Sequence, residues 1–235
     1  MNKMINCQDL GLKKDYLYEI IATTYSIIKE SNEIKPNASC MGIRMIDEDQ
    51  IQISPFYGTT TYKNLKESSI IAINFIDDVY LYALAALKEP NSPIGLTEFP
   101  SKYYNFKYLD SFAIDVPYIN KSWGLLIGRV SQEFQKTKRD DLGEIIIPIV
   151  KLDIIFCEKL QESNKLFNRA ENLALEIIIL TTRLKIAKKN QDQSIFSKIH
   201  KKIIECMRDI ERFGKNESVL KVTKIVSNYI KNLIG

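Results

Sequence analysis

The chain has 235 residues, 45% of them apolar and 26% charged, the composition of a globular protein with room for one large domain or two small ones, and not of a disordered one. Its net charge of +4 hides an asymmetry: residues 1–162 carry 18 basic against 22 acidic side chains, whereas residues 163–235 carry 15 against 7. No apolar run approaches the roughly 18 to 20 residues that span a bilayer, and "MNKMINCQDLGLKKDYLYEI" lacks the basic, apolar and small-residue order of a secretion signal, so no membrane partner and a cytoplasmic location are expected.

The first part of the chain reads as strands. Residues 16–26, 38–46, 50–56 and 69–76 are short, rich in β-branched and aromatic residues, and separated by the turn-prone "KPN" and "DED". Gln50 and Gln52 alternate with Ile51 and Ile53, giving one polar and one apolar face. The connections are too short for crossover helices, which makes the pairing antiparallel. A helix opening at Thr59 interrupts the pattern. "DDVYLYALAALKE" (77–89) reads as one helix or an irregular apolar segment. "PNSPIGLTEFPSKYYNFKYLD" (90–110), with three of the seven prolines and several aromatics, reads as an ordered, packed loop.

Two longer strands follow, from Lys121 and from Ile147, bringing the total to six or seven, enough to close a small barrel. Near Gln161 the period changes. Leu166, Ala170, Leu173, Ile177, Leu180 and Leu184 recur at spacings of three or four, with Ser163 or Asn164 as N-cap. Ile195, Ile199, Ile203 and Met207 repeat that spacing up to a stop at Gly214, and "ESVLKVTKIVSNYIKNLI" forms a third helix. The fold class predicted is α+β: a β-barrel domain over 1–162 and a helical domain over 163–235.

Few side chains offer conventional catalysis. Cys7, Cys40, Cys157 and Cys206 lie far apart without a CxxC pair, which supports neither a disulfide framework nor a zinc site. The single histidine, His200, sits between lysines in a helical pattern, so nucleophilic schemes that need a positioned imidazole are disfavoured. The adjacent pairs Asp77/Asp78 and Asp140/Asp141 read as turn residues, and no metal is expected.

The stretch "SPFYGTTTYKNLKESS" (54–69) stands out. A helix N-terminus offers unpaired N–H groups and the positive end of the helix dipole. Gly58 permits unusual backbone angles, Thr59, Thr60 and Thr61 add hydroxyls, and Lys63 and Lys66 add charge. From the residues alone this is either an anion cradle or a well-capped helix. Upstream, Ala38, Ser39, Cys40 and Gly42 are small enough for a flat ligand to lie against the backbone, or for a tight barrel interior.

In combination, "P-N-A-x-x-M-G-I-R" (36–44), "G-T-x-T-Y-x-N-L" (58–65), "I-N-x-x-D-D" (73–78) and the helical "NRA…E…TRL" of Asn168, Arg169, Ala170, Glu176, Thr182, Arg183 and Leu184 resemble a family of uncharacterised, largely archaeal FMN-binding proteins with a split-barrel fold. The resemblance implies a flavin reductase-like split barrel that binds FMN at a homodimer interface. On this sequence it implies that Asn37, Ala38, Ser39, Cys40 and Met41 line the isoalloxazine ring. Ser54, Thr59, Thr60 and Thr61 would then meet the phosphate and ribityl chain, with Asn64 and Asn74 as polar neighbours. Arg44 is either a phosphate partner or part of a barrel-end ion pair. Trp123 and Lys121 either reach a flavin from the second subunit or, for the tryptophan, fill the core. Thr60 stands where a basic side chain would strengthen phosphate capture, a role open to Lys63 or Arg44.

The function expected is FMN-dependent redox chemistry, most simply a nicotinamide-dependent flavin reductase. The cofactor carries the hydride, so no catalytic acid or base is required. The alternative is a non-catalytic flavin- or deazaflavin-binding module whose basic helices bind a partner. Nucleic acid is not expected, because no helix-turn-helix pattern or stacking aromatic pair occurs there. The apolar "LEIIIL" (175–180) points instead to helices that extend a dimer interface.

Overall fold

The computed structural model describes residues 7–89, 96, 98–140, 143–163, 169–213 and 217–234. Asn164, Leu166, Asn168, Asp141 and Gly214 of the sequence reading lie outside them. The chain forms two compact units: 1–77, 100–138 and 145–163, and 78–99, 139–144 and 164–235.

The first unit is a closed six-stranded barrel. Its strands are β1 (Leu17–Ile28), β2 (Glu33–Asp47), β3 (Gln50–Ile53), β4 (Ile70–Phe75), β7 (Gly124–Asp140) and β8 (Gly143–Lys159), in the order β1-β2-β3-β8-β7-β4. Neighbouring strands pair antiparallel: Thr24 faces Asn37, Gln52 faces Lys151 and Ile73 faces Leu126. Side chains alternate across each strand, so one set fills the barrel. Ile20, Ala22, Ile43, Met45, Ile51, Ile53, Ile71, Ile73, Leu126 and Leu152 form that core. Trp123 packs partly buried against it, its ring 5.3 Å from that of Phe75, which is the core role for this residue.

Helix α1 (Thr60–Ser68) buries Thr61, Asn64 and Leu65, the i, i+3, i+4 face of the helix, with Leu65 reaching the barrel core. Thr59 caps its start and Ser69, at φ 57°, ends it in the left-handed region while its N–H bonds the Leu65 carbonyl.

Residues 104–119, expected in part to be loop, form a two-stranded ribbon instead, β5 (Tyr104–Leu109) with β6 (Ile114–Ile119). Leu109 and Val116 join Tyr25, Ile70, Ala72, Leu125 and Ile127 in a second apolar cluster, composed of side chains on the other face of the barrel strands. The ribbon covers this second face. β7 and β8 overrun the barrel, and every residue from Ser131 to Arg139 and from Gly143 to Ile146 is exposed, including Phe134, Ile145 and Ile146.

The second unit contains α2 (Val79–Ala86), α3 (Arg169–Lys189), α4 (Gln193–Phe213) and α5 (Glu217–Ile234). The ambiguous apolar segment is therefore a helix. Capped by Asp78, α2 buries Val79, Leu81, Tyr82, Ala83, Leu84 and Ala85 on all sides, and it packs on α3 and α5. Just beyond it, Glu89 accepts from Lys185 of α3 and, at 3.0 Å, from the Tyr229 hydroxyl of α5. Burial beside that carboxylate pushes the Tyr229 phenol up. The Ser163 hydroxyl donates to the Asp77 carboxylate at 2.5 Å.

Candidate functional site

The threonine run meets β2 at the end of α1. The Thr61 hydroxyl lies 2.6 Å from that of Ser39 and accepts from the Asn37 amide at 3.2 Å. Three of the sequence candidates are thus tied together by side-chain bonds. Asn64, 4% exposed, donates to the Thr24 hydroxyl on β1, so the buried face of α1 is fixed to both neighbouring strands.

The strand from Asn37 to Met41 is not a single wall. Asn37 and Ser39 turn toward α1 and Met41 packs on the barrel core, whereas Ala38 and Cys40 occupy the opposite face, as the two-residue period of a strand requires. Ala38 is fully buried and Cys40 is half-buried and in no disulfide. On that same face Gly42 lies under Leu17: a Cβ there would sit 2.6 Å from the leucine Cδ1.

Four N–H groups at the start of α1 need acceptors from outside the helix ladder. That of Thr59 goes to the Phe56 carbonyl at 3.1 Å, and that of Tyr62 to the Thr59 hydroxyl at 3.3 Å. The Thr59 hydroxyl donates in turn to the Phe56 carbonyl at 2.7 Å. The N–H groups of Thr60 and Thr61 remain, beside an exposed Thr60 side chain, an exposed Lys63 and a Gly58 around which a Cβ would meet nothing within 4 Å. The Tyr57 hydroxyl, one residue before Gly58, is buried without a hydrogen-bond partner among the described residues. Ser54 stands half-buried just past β3.

Of the charged candidates, Lys66 is engaged, bonding Glu133 of β7 at 3.1 Å. The same carboxylate accepts from the Tyr62 hydroxyl at 2.7 Å. This hydrogen bond pushes the Tyr62 phenol up to about 12 and holds the Glu133 carboxyl below its usual range. Arg44 forms no ion pair among the described residues: its guanidinium donates to the backbone carbonyl of Asp15 at 2.7 Å.

Asn74 is not brought to the cradle. Fully buried on β4, it donates to the Ile21 carbonyl (2.9 Å) and the Thr23 hydroxyl (3.1 Å), and accepts from the Ile119 N–H (2.7 Å) and the Ser122 hydroxyl (3.2 Å). It fastens the ribbon strand β6 to the barrel. Sequence reasoning missed the Asn37–Ser39–Thr61 tie and the Tyr62–Glu133 bond because both join residues distant in sequence; the Tyr57–Tyr62 edge contact, 5.0 Å between centroids, was legible as two aromatics five apart flanking the threonines.

An N-terminal strand set with a cradle of this construction has a match. Residues 18–103 match the DUF447 N-terminal domain, a protein of unknown function. The DUF447 match contains all three strand and cradle motifs, 36–44, 58–65 and 73–78. The FMN-bound DUF447 protein MM1853 of Methanosarcina mazei is similar in structure over 95% of this chain and 99% of its own, with 16% identity and a TM-score of 0.67; the two share a fold. The styrene monooxygenase flavin reductase of Pseudomonas putida S12 (11% identity, 61% of this chain and 82% of that one, TM-score 0.42) and the flavin reductase HpaC in complex with NADP+ (15%, 69% and 88%, 0.43) are more distant. No curated protein matches the sequence.

Proposed function

We propose that this chain is an FMN-binding flavoprotein of the flavin reductase-like kind. The observation that carries the reading is the mouth of α1, where the Thr60 and Thr61 N–H groups stand without intrahelical acceptors next to the open space at Gly58, in a fold shared with an FMN-bound protein. A phosphate monoester fits this donor set: two backbone N–H groups at the positive end of a helix, the Thr60 hydroxyl and the Lys63 ammonium. The orphaned Tyr57 hydroxyl at the same turn is a further donor in need of an acceptor.

FMN, when bound, supplies hydride and electron transfer. The protein's part is to hold and orient it. Thr59 keeps the helix end formed, and Thr61, Ser39 and Asn37 fix that end against β2. On the opposite face of that strand, Cys40 stands half-buried between the fully buried Ala38 and the Gly42 covered by Leu17. Nicotinamide-dependent reduction is the activity proposed, in the cytoplasm, by a homodimer with the cofactor at its interface. The exposed Phe134, Ile145 and Ile146 on the β7–β8 extension support self-association, since a two-stranded ribbon is barely stable in water on its own. Among the described residues no helix is long and apolar enough to cross a membrane.

The test is the absorption spectrum of the purified protein, with FMN added if it is colourless, followed by anaerobic titration with NADH and NADPH. A bound flavin bleached by either nicotinamide is the expected result. A protein that takes up no flavin overturns the reading, and a flavin that no nicotinamide reduces limits it to binding. Titration with a deazaflavin in parallel decides between the two cofactors.

A further inference from the structure

The helical unit carries a surface feature that the flavin reading does not use. Two depressions, of about 200 Å³ and about 560 Å³, share Gln193, Phe196 and Ile234 and so form one groove. It runs along α4 from Gln193 to Arg208, about 22 Å at 1.5 Å per residue. This is not the face α4 buries, which consists of Ile199, Ile203, Cys206 and Ile210. The groove is lined by a second row at helical spacing, with Phe196, His200 and Ile204 on it and the Phe196 and His200 rings 6.0 Å apart. Ile204 is 38% exposed and Ile234 50% exposed.

Its charges are unevenly committed. Lys188 already donates to the Leu233 carbonyl, and the Asp192 carboxylate caps α4 by accepting from the Ile195 N–H at 2.9 Å. Lys201 and Arg208, two helical turns apart along one side, form no ion pair among the described residues, and Glu205 is the one acidic lining residue without such a structural task. The rim is therefore net positive above an apolar floor.

We infer that this groove docks an acidic amphipathic helix of a partner protein, about four turns long, with apolar side chains on Phe196, Ile204 and Ile234 and carboxylates two turns apart facing Lys201 and Arg208. Groove length, apolar floor and the spacing of the two free cations select this occupant. A nucleic-acid backbone gains affinity with each phosphate neutralised, and here two uncommitted cations flank Glu205, too few to favour it. The inference is independent of flavin binding.

The test uses the full chain against a displayed library of 16-residue helices with leucines at i, i+4 and i+7 and two glutamates seven apart, beside a library of the same composition with the order scrambled. Selective enrichment of the patterned library is expected. Ile204→Asp should weaken the best peptide more than tenfold, as for an anchor in an interface core, and Arg208→Glu about fivefold, as for a rim charge. Both positions are exposed, and circular dichroism checks that the helices persist. Equal enrichment of the scrambled library, no enrichment, or insensitivity to both variants overturns the inference. So does tighter binding of a 16-nucleotide single strand lost in the same variants, which assigns the groove to nucleic acid, or a dimer that dissociates in Ile204→Asp, which assigns it to a second copy of this chain.

Discussion

Asn74→Ala separates a ligand group from a structural one. The side chain is fully buried and makes four bonds within 3.2 Å. Two of its partners survive its loss: the Thr23 hydroxyl still donates to the Pro117 carbonyl at 2.6 Å, and the Ser122 hydroxyl to the Ile119 carbonyl at 2.7 Å. The Ile119 N–H loses its acceptor and the Ile21 carbonyl loses this donor. The Ile21 carbonyl keeps its place in the barrel ladder, so one buried group is left unsatisfied, at about 2 kcal/mol. For a chain of this size each kcal/mol lowers Tm by about 2 to 4 °C, so the melting transition followed by far-ultraviolet circular dichroism should fall by about 4 to 8 °C. FMN affinity, measured by flavin fluorescence quenching at a temperature where the variant is folded, should stay within about twofold. Asn74→Asp keeps the acceptor but buries a carboxylate, whose folded pKa must rise; its stability is retained at low pH and lost as pH rises through that value. An unchanged Tm with a tenfold loss of FMN affinity would refute the structural account and return Asn74 to the cofactor.

Thr59→Ala removes the cap on Tyr62 and should cost about 1 kcal/mol in thermal unfolding, while Thr59→Asn should restore most of it. Lys63→Ala should weaken FMN binding by at least threefold at low salt, whereas Arg44→Ala should leave it unchanged, because that guanidinium is spent on the Asp15 carbonyl; isothermal titration of the two variants compares them directly. The Tyr62–Glu133 bond gives stability a defined pH dependence. The folded Glu133 carboxyl lies below its ordinary 4.5, so its contribution is present above about 4.5 and lost as pH falls through the folded value. The Tyr62 phenol lies above its ordinary 10.0, so its contribution is present below 10 and lost toward about 12. Tyr62→Phe should flatten both limbs in urea titrations run from pH 3 to pH 11; unaltered limbs would show that the bond contributes nothing in solution.

The barrel was legible because its strands obey two simple patterns. Gln50 to Ile53 alternates, and "IIAINF" is buried throughout, and apolar but for Asn74, because both of its faces are covered, one by the core and one by the ribbon. That ribbon escaped notice for related reasons. β5 is largely exposed, its aromatics Phe106 and Tyr108 face solvent, and Pro117 lies within β6, where a proline argues against a strand. α2 escaped a firm reading because a helix buried on every side has no amphipathic period to detect. At the site, the threonines announced a helix start, and the structure agrees. Which of them face ligand and which face protein is set by the helix phase: Thr61 points in to Ser39, whereas Thr60 points out. Asn74 next to the motif looked like a polar neighbour of the cradle; only the fold reveals β6 beside it.

The apolar surface of α2 also dictates an order of events during synthesis. The helix emerges from the ribosome after β4, while the helices it packs on, α3 and α5, begin at Arg169 and Glu217. Throughout that interval its fully apolar faces have no native cover, and neither does the edge of β3, whose partner β8 pairs Asp153 with Gln50. A nascent chain halted before residue 217 therefore lacks one of the two helices that cover α2, even when its barrel has closed. Such chains should be the species on which chaperones act, and C-terminal truncation should lower soluble yield more than any loss of barrel contacts explains.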